Sequence, residues 1–411
     1  MPAKALKLFY FTLSYPWGIG EEWKRNELME LRHHFGRVTV VPYSHDGNMD
    51  YPKPVPEGVE CLKPLFPASN YQVPRRRILE ILRSRHRAAF LSEFFGKRVF
   101  LYRGRARSWL EATGKTLDIL NHPTIRGVLR EADEDTVFYF YWGKGICQIM
   151  PFLNAVSTRS SFVRMHRFDL FEYANNGYIP YRRQLLDAID TAAPTSQAGK
   201  DHLDSLYPAV KDKVKVFRCG ALGNGRRSPS SGDGILRLVS CSYLSPVKRV
   251  HLMVEALRLL GPMVEWHHIG DGVLRGDLED LVRNRGLEGR FVFHGMMDSR
   301  EIMDFLTARP FDFFINTSES EGVPFSIMEA FAAGIPVLAT DVGGTSEIVD
   351  GLVGELLPSD LTPERLAASI NRLRGLGKTD KDSMREAAYG RYETRCNASV
   401  LAKELSEYLT A

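Results

Sequence analysis

FDFFINTSESEGVPFSIMEAFAAGIPVLATDVGGTSEIVDGLVG, residues 311–354, reads as strand, loop, helix, second strand and turn in direct succession. The apolar run from Phe311 to Asn316, closed by Thr317 and Ser318, is a buried strand with a polar end. Pro324 suits the first turn of the next helix, where its missing N–H has no intrahelical partner to lose. Ile327, Met328, Phe331 and Ala332 give that helix an apolar face. Gly334 ends it, Ile335 to Ala339 forms the second strand, and Asp341 to Thr345 turns toward a helix whose early face holds Glu347. Two carboxylates border the first strand and helix, Glu321 in the loop and Glu329 inside the helix. Taken singly, Glu321 reads equally as a loop anion or cap partner, and Glu329 as a solvated helical position. A strand end, clustered backbone N–H groups at 321–323 and a helix N-terminus together favour an anionic, phosphorylated ligand there.

Glu321, seven intervening residues and Glu329 resemble the Glu-x7-Glu signature of the retaining GT-B glycosyltransferases of family 4. GIPVLATDVGGTSEIV resembles the same family's next strand, turn and helix. The resemblance implies an α/β GT-B fold of two Rossmann-like αβα domains facing a central cleft. It places Glu321 beside the donor sugar and Glu329 on the ribose hydroxyls, with Gly322, Val323, Pro324, Phe325 and Ser326 along the diphosphate.

At 411 residues the chain exceeds what one core usually serves, so two domains of about 200 residues are expected. A net charge of +4 is too small for a general nucleic-acid binder. Positive charge is instead concentrated: residues 75–107 hold eleven Lys or Arg against Glu80 and Glu93. Ile78, Leu79, Ile81, Leu82, Phe90, Leu91, Phe94 and Phe95 are interspersed there. Either one face packs on the first domain while the arginines stay solvated, or the segment meets an anionic membrane. Family 4 enzymes with lipid-linked acceptors often attach through their first domain, which supports the membrane reading. Five scattered cysteines, an odd number without metal spacing, fit a reducing compartment. The N-terminal apolar run is short and reads as a strand, and no run of eighteen apolar residues spans a bilayer. The expected location is cytoplasmic, with peripheral attachment to the inner face of the plasma membrane as its companion reading.

Leu6 to Leu13 is a strand, the loop with Gly18 and Gly20 feeds a helix from about Glu21 to Phe35, and Arg37 to Tyr43 completes a βαβ opening. Glycines after the first strand lie where open α/β sheets bind ligands; the resemblance assigns them to the cleft near the donor phosphates or acceptor. Leu117 to Leu120 reads as a short strand, Thr136 to Tyr141 as a longer one, and Ile146 to Val156 as a helix. Ser161 to Met165 is a strand ending at His166, Arg167, Phe168 and Asp169. By itself His166 reads as a structural histidine more readily than as a catalytic one. The piece from Val163 onward resembles a polysaccharide-building subgroup of family 4 that carries His-Gly-x-Asp there, which implies a hydrogen bond from His166 to the donor sugar. Arg167 departs from that pattern and either meets a substrate anion or pairs with Glu172. Residues 181–193 read as a helix, another begins near Ser196, and Lys213 to Phe217 is the expected last strand of the domain.

Residues 221–232, rich in glycine, serine and arginine, read as the hinge between a first, acceptor-side domain (1–220) and a second, nucleotide-sugar domain (233–385). Leu236 to Ser240 opens the second domain, and Lys248 and Arg249 stand at the start of the next helix, within reach of a diphosphate. Lys248 matches the family lysine that supports the donor phosphates, whereas Tyr243 occupies a position where the family often has arginine. Strands at Glu265 to Ile269 and Arg290 to Phe293 lead into Gly270, Asp271 and Gly272 and into the loop with Met296. The resemblance puts both loops beside the nucleotide. Residues 386–411 are expected as a helix crossing back to the first domain.

The resulting expectation is a retaining glycosyltransferase with Glu321, His166 and Lys248 at its chemistry. It would move a hexose-type unit from a uridine or guanosine diphosphate sugar to a polysaccharide or lipid-linked glycan. No metal site and no separate cofactor are expected, since no Asp-x-Asp pair stands in a metal-binding loop. A sugar-nucleotide hydrolase or epimerase, or a noncatalytic subunit of a glycan-assembly complex, is the alternative reading.

Overall fold

A computed structural model describes residues 6–18, 21, 23–45, 53–67, 76–153 and 156–411. The chain clusters into two compact units, Met1–Phe217 with Ala402–Ala411, and Arg218–Leu401. The division falls just before the expected hinge at 221–232, and the segment that joins the first unit is shorter than 386–411.

The first unit holds strands β1 (Lys7–Thr12), β2 (Arg37–Pro42), β3 (Val59–Cys61), β4 (Thr136–Phe140), β5 (Ser160–Met165) and β6 (Thr191–Pro194). The second holds β7 (Leu236–Cys241), β8 (Val264–Ile269), β9 (Phe291–Phe293), β10 (Phe313–Asn316), β11 (Val337–Thr340) and β12 (Gly354–Leu357). Each set forms a parallel six-stranded sheet, ordered β3-β2-β1-β4-β5-β6 and β12-β11-β10-β7-β8-β9. Both are the same doubly wound order, with switch points between β1 and β4 and between β7 and β10. Ligands of such sheets bind outside the strand C-termini at the switch point.

Successive side chains of a strand point to opposite faces, and crossover helices cover both faces of each sheet, so its central strands read as unbroken apolar runs. In the second unit Leu238, Phe313, Ile315 and Leu338 join one buried cluster, and Val239, Phe314, Val337 and Ala339 the other. Phe9, Phe11, Phe138 and Phe140 likewise oppose Leu8, Tyr10, Val137 and Tyr139 across the first sheet.

Several elements differ from the sequence reading. Leu117 to Leu120 is no strand but the end of helix Arg103–Asn121, whose buried positions Trp109, Ala112, Thr113, Thr116 and Leu117 recur at helical spacing. The expected helix at 181–193 stops at Ala188, and Thr191–Pro194 becomes the edge strand β6. Pro194 and Thr191 are poor helix formers, and pairing with β5 together with burial of all four residues makes the segment a strand. The expected strand Lys213 to Phe217 forms only a bridge from Val214 to Ala192, with Lys215 and Phe217 donating to the carbonyls of Ala192 and Pro194. The helix expected over Glu21 to Phe35 is Lys24–Leu31, and Ile146–Phe152 is a 3-10 helix containing Pro151. A single 3-10 turn, Thr345–Glu347, stands where a longer helix was expected, and β12 follows it. The C-terminal region is helix Lys378–Arg391, the wide turn Tyr392–Cys396 and helix Ala398–Thr410.

Candidate active site

At the switch point of the second sheet, β10 ends on Asn316. Its Oδ1 accepts the N–H of Ser318 at 2.9 Å, which turns the Nδ2 donor onto Glu321 Oε1 at 3.2 Å. Lys248, in the 3-10 turn Pro246–Lys248 after β7, donates from Nζ to the same oxygen at 2.6 Å. Among the described residues Glu321 Oε2 has no hydrogen bond. The carboxylate is therefore oriented on one oxygen and open on the other, at 9% residue exposure.

The loop carrying Glu321 is held from several sides. Thr317 Oγ1 donates to the Lys248 carbonyl at 2.8 Å, Thr340 Oγ1 to the Ser318 carbonyl at 2.5 Å, and Gly344 N–H to the Gly322 carbonyl at 2.7 Å. Gly343 has φ +58°, and a Cβ there would lie 2.0 Å from the Glu321 carbonyl oxygen, so only glycine fits. Arg249 belongs to this scaffold. Its Nε, Nη1 and Nη2 donate to the carbonyls of Thr317, Ser359 and Ser318 at 2.7, 2.9 and 3.2 Å. Arg249 thus spends three of its five N–H donors on backbone oxygens of this loop and of Ser359.

Helix Phe325–Ala332 follows, with Pro324 as its N-cap, so Val323 and Pro324 lead into it and Phe325 and Ser326 open it. Glu329 lies in its second turn, 8% exposed, and among the described residues its carboxylate makes no hydrogen bond or ion pair. Burial raises its pKa from 4.5 to about 8. A buried carboxyl without partners is costly, and this one stands close enough to Cys241, at the end of β7, to add to the upward push that burial exerts on that thiol.

Beside β7, Gly270 takes φ +128°, and a Cβ would sit 2.0 Å from the Ser242 carbonyl oxygen. The turn is completed by Gly272 N–H donating to Asp271 Oδ1 at 2.7 Å and Leu244 N–H to the Asp271 carbonyl at 3.0 Å. Ser242 Oγ is buried with no partner among the described residues. His268 spans Ser240 Oγ at 2.8 Å and the Ser242 carbonyl at 3.2 Å, and burial lowers its pKa to about 4. Neither Ser242 nor His268 stood out in the sequence, because a serine and a strand histidine carry no spacing signal. Met296, after β9, and Tyr243 are both exposed.

In the first unit His166 follows β5. Its N–H donates to Asp169 Oδ1 at 2.6 Å, and its ring stacks on Tyr141 at 5.1 Å and approaches Trp142 at 4.8 Å. Nε2 is buried without a partner among the described residues. Burial, with Arg164 and Lys24 nearby, holds the imidazole well below its usual pKa, so the ring is neutral at pH 7. Asp169 also accepts the Gly143 N–H, and Arg182 reaches the carbonyls of Gly143 and Asp169. The loops after β4 and β5 are thereby pinned together. Arg167 places its guanidinium 5.9 Å from the Tyr173 ring centre, while Glu172 bonds His202 at 2.6 Å.

Gly18 is buried, and Gly20 lies outside the described residues. Close to Gly18, Glu21 accepts the N–H groups of Ser14 and Tyr15 at 2.8 Å each and the Trp142 indole at 2.6 Å. Fully buried Lys24 pairs with it and lies 4.2 Å from the Tyr141 ring centre. Burial alone would raise the Glu21 pKa, but Lys24 and these donors outweigh it and hold it below the usual value. Glu21 and Lys24 brace the wall behind His166, a role their sequence spacing did not reveal. A cavity of about 500 Å³ opens at the ends of β1 and β4, the switch point of this sheet. Among the described residues no group of three or more His, Cys, Asp or Glu is placed to hold a metal ion.

The two doubly wound sheets define the GT-B fold, and solved structures of that fold align over the whole chain. The Anabaena protein Alr3699/HepE in complex with UDP has a TM-score of 0.65 at 16% identity, covering 98% of this chain and 99% of its own. Sucrose-phosphate synthase from Thermosynechococcus elongatus reaches a TM-score of 0.71 at 14% identity, covering 98% of each chain. Residues 226–391 match the family described as Glycosyl transferases group 1. The amylovoran biosynthesis glycosyltransferase AmsK of Erwinia amylovora is 30% identical over 183 residues, 42% of this chain and 44% of its own. WcaL of Escherichia coli strain K12, named for colanic acid biosynthesis, is 28% identical over 252 residues, 57% of this chain and 60% of its own. The chain thus spans about half the length of the curated relatives it matches.

Proposed function

We propose that this chain is a retaining glycosyltransferase of polysaccharide biosynthesis that transfers a hexose-type sugar from a uridine diphosphate sugar to a glycan hydroxyl. The observation that carries the reading is Glu321, fixed through one oxygen by Lys248 and Asn316 and open on the other, at a switch point that also holds the unpartnered carboxyl of Glu329. The group 1 match over residues 226–391 supports the same assignment. Uridine is favoured over guanosine because Alr3699/HepE, a neighbour in fold, was solved with UDP and with UDP-glucose.

Lys248 has three N–H donors and spends one on Glu321, which leaves two for the diphosphate. As the bond from the sugar's anomeric carbon to the β-phosphate oxygen breaks, that oxygen gains charge, and a preplaced ammonium stabilises it. The acceptor oxygen bonds the anomeric carbon on the same face, and its proton passes to the leaving phosphate. Glu321 Oε2 accepts from donor hydroxyls and forms no covalent bond. Neutral His166 is assigned a hydrogen bond to the donor sugar.

The first unit is assigned the acceptor and the second the nucleotide sugar. The segment 75–107 is assigned an anionic membrane surface. Ile78, Leu79, Phe95, Phe100, Leu101 and Tyr102 are each more than half exposed among its cations, while Ile81, Phe90 and Val99 pack inward. Among the described residues no helix is long and apolar enough to cross a membrane.

The test is incubation of purified protein with a panel of nucleotide sugars and a lipid-linked glycan fraction, with product identified by mass and anomeric NMR. An α-linked product from an α-linked donor is expected, and a β-linked product removes the retaining assignment. Free sugar formed without acceptor indicates hydrolysis.

A further inference from the structure

We infer that the cavity at the β1/β4 switch point selects a glycan unit carrying an anionic group, which it holds between Lys144 and Lys115. This deepens the transferase reading, on which it rests, by giving the acceptor a charge. The cavity's volume, about 500 Å³, suits one sugar ring with a substituent. Tyr43, Trp142 and Phe168 supply aromatic surface in its lining, and Lys115 and Lys144 supply charge.

Each of the two acids in the lining also has a partner other than these lysines. Glu111 is held by Arg107 at 2.8 Å, and Asp169 accepts the N–H groups of His166 and Gly143. Lys144 Nζ bonds a neutral partner, Asn175 Oδ1. That amide is turned by its own donors, since Asn175 Nδ2 gives to the carbonyls of Phe168 and Phe171 at 2.7 and 3.0 Å. Its oxygen is thus presented to Lys144 without neutralising it. Desolvation does most to lower the Lys144 pKa; Asp169 pulls it back up, and Arg182 and then Lys115 push it down as like charges. Lys115 is lowered in the same direction by desolvation, against an upward pull from Glu111. Two half-buried ammonium groups that repel each other across a cavity gain most from an anion placed between them.

A sugar carboxylate and a glycosyl phosphate share this chemistry. Calorimetry on the full chain, with uridine diphosphate held at saturation, would compare methyl β-glucuronide, glucose 1-phosphate and neutral methyl β-glucoside. At least one anionic probe is expected to bind about tenfold or more tighter than the glucoside. Preference for the glucuronide names a carboxylate, and preference for glucose 1-phosphate a phosphate. Lys144→Met and, separately, Lys115→Met should remove most of that preference, whereas Lys144→Arg should keep it. Equal binding of charged and neutral probes, no binding of either anion, or an unchanged preference in folded Lys144→Met protein overturns the inference. Loss of uridine diphosphate binding with the anion preference intact would instead count against the donor reading. Donor turnover without any anion preference would remove the charged acceptor alone.

Discussion

Nucleotide binding should release a proton, and Glu329 should be its source. With a pKa of about 8 the carboxyl is protonated in about nine molecules of ten at pH 7, and ionising it there costs ~1.4 kcal/mol. Two ribose hydroxyls donating to the carboxylate would return ~1.5–3 kcal/mol each, since hydrogen bonds to a charged group exceed neutral ones. Binding therefore wins over the ionisation cost, and roughly 0.9 proton leaves per nucleotide at pH 7. Affinity for uridine diphosphate should rise about tenfold per pH unit approaching pH 8 and level off above it. Glu329→Gln keeps one acceptor oxygen, carries no charge and has no proton to release. It should weaken binding by roughly 1–3 kcal/mol and abolish the pH dependence. Calorimetry in two buffers of different ionisation enthalpy reads the proton directly. Wild-type heat that is the same in both buffers, or unchanged affinity in Glu329→Gln, would refute the reasoning.

Lys248→Ala and Glu321→Ala should each lower kcat more than they raise the donor KM, because both act where the glycosyl–phosphate bond breaks; steady-state kinetics showing only a KM effect would remove them from the chemistry. Glu329 also makes stability depend on pH. A carboxyl pKa raised from 4.5 to about 8 contributes stability fully below the lower value and loses it as pH climbs to the upper one, so denaturant titrations should show Glu329→Gln flattening that fall. Gly343→Ala forces a Cβ into the Glu321 carbonyl at a left-handed backbone position and should cost ~1–3 kcal/mol of stability together with donor affinity; wild-type thermal unfolding in this variant would contradict the packing argument. If residues 75–107 meet a membrane, the protein should cosediment with anionic vesicles and release as salt rises, at about 1 kcal/mol per engaged cation. Equal binding to neutral vesicles, or none to either, would count against that surface.

The second sheet was legible because parallel strands covered on both faces must be apolar throughout. FDFFIN and IPVLAT announce themselves, and the polar residues that end them mark where a ligand site begins. Glu321, Lys248 and the Gly270 turn stand at such strand ends, so their position along the chain and the family resemblance pointed to the same residues. What local pattern could not decide was any element whose state depends on a distant neighbour. TAAP becomes a strand only because β5 lies beside it, and Leu117 to Leu120 becomes helix because its apolar residues continue a face begun at Trp109. Side-chain commitments were equally hidden. Arg249 and Lys248 are adjacent cations in sequence, yet a φ of +48° at Arg249 turns its guanidinium onto three carbonyls while Lys248 faces Glu321. Glu21 and Lys24 look like a surface pair at helical spacing but lie buried under Tyr141 and Trp142, whose strand is more than a hundred residues away. Sequence periodicity reports which face of an element is apolar, whereas the partner that a polar group meets depends on which other elements the fold brings to it.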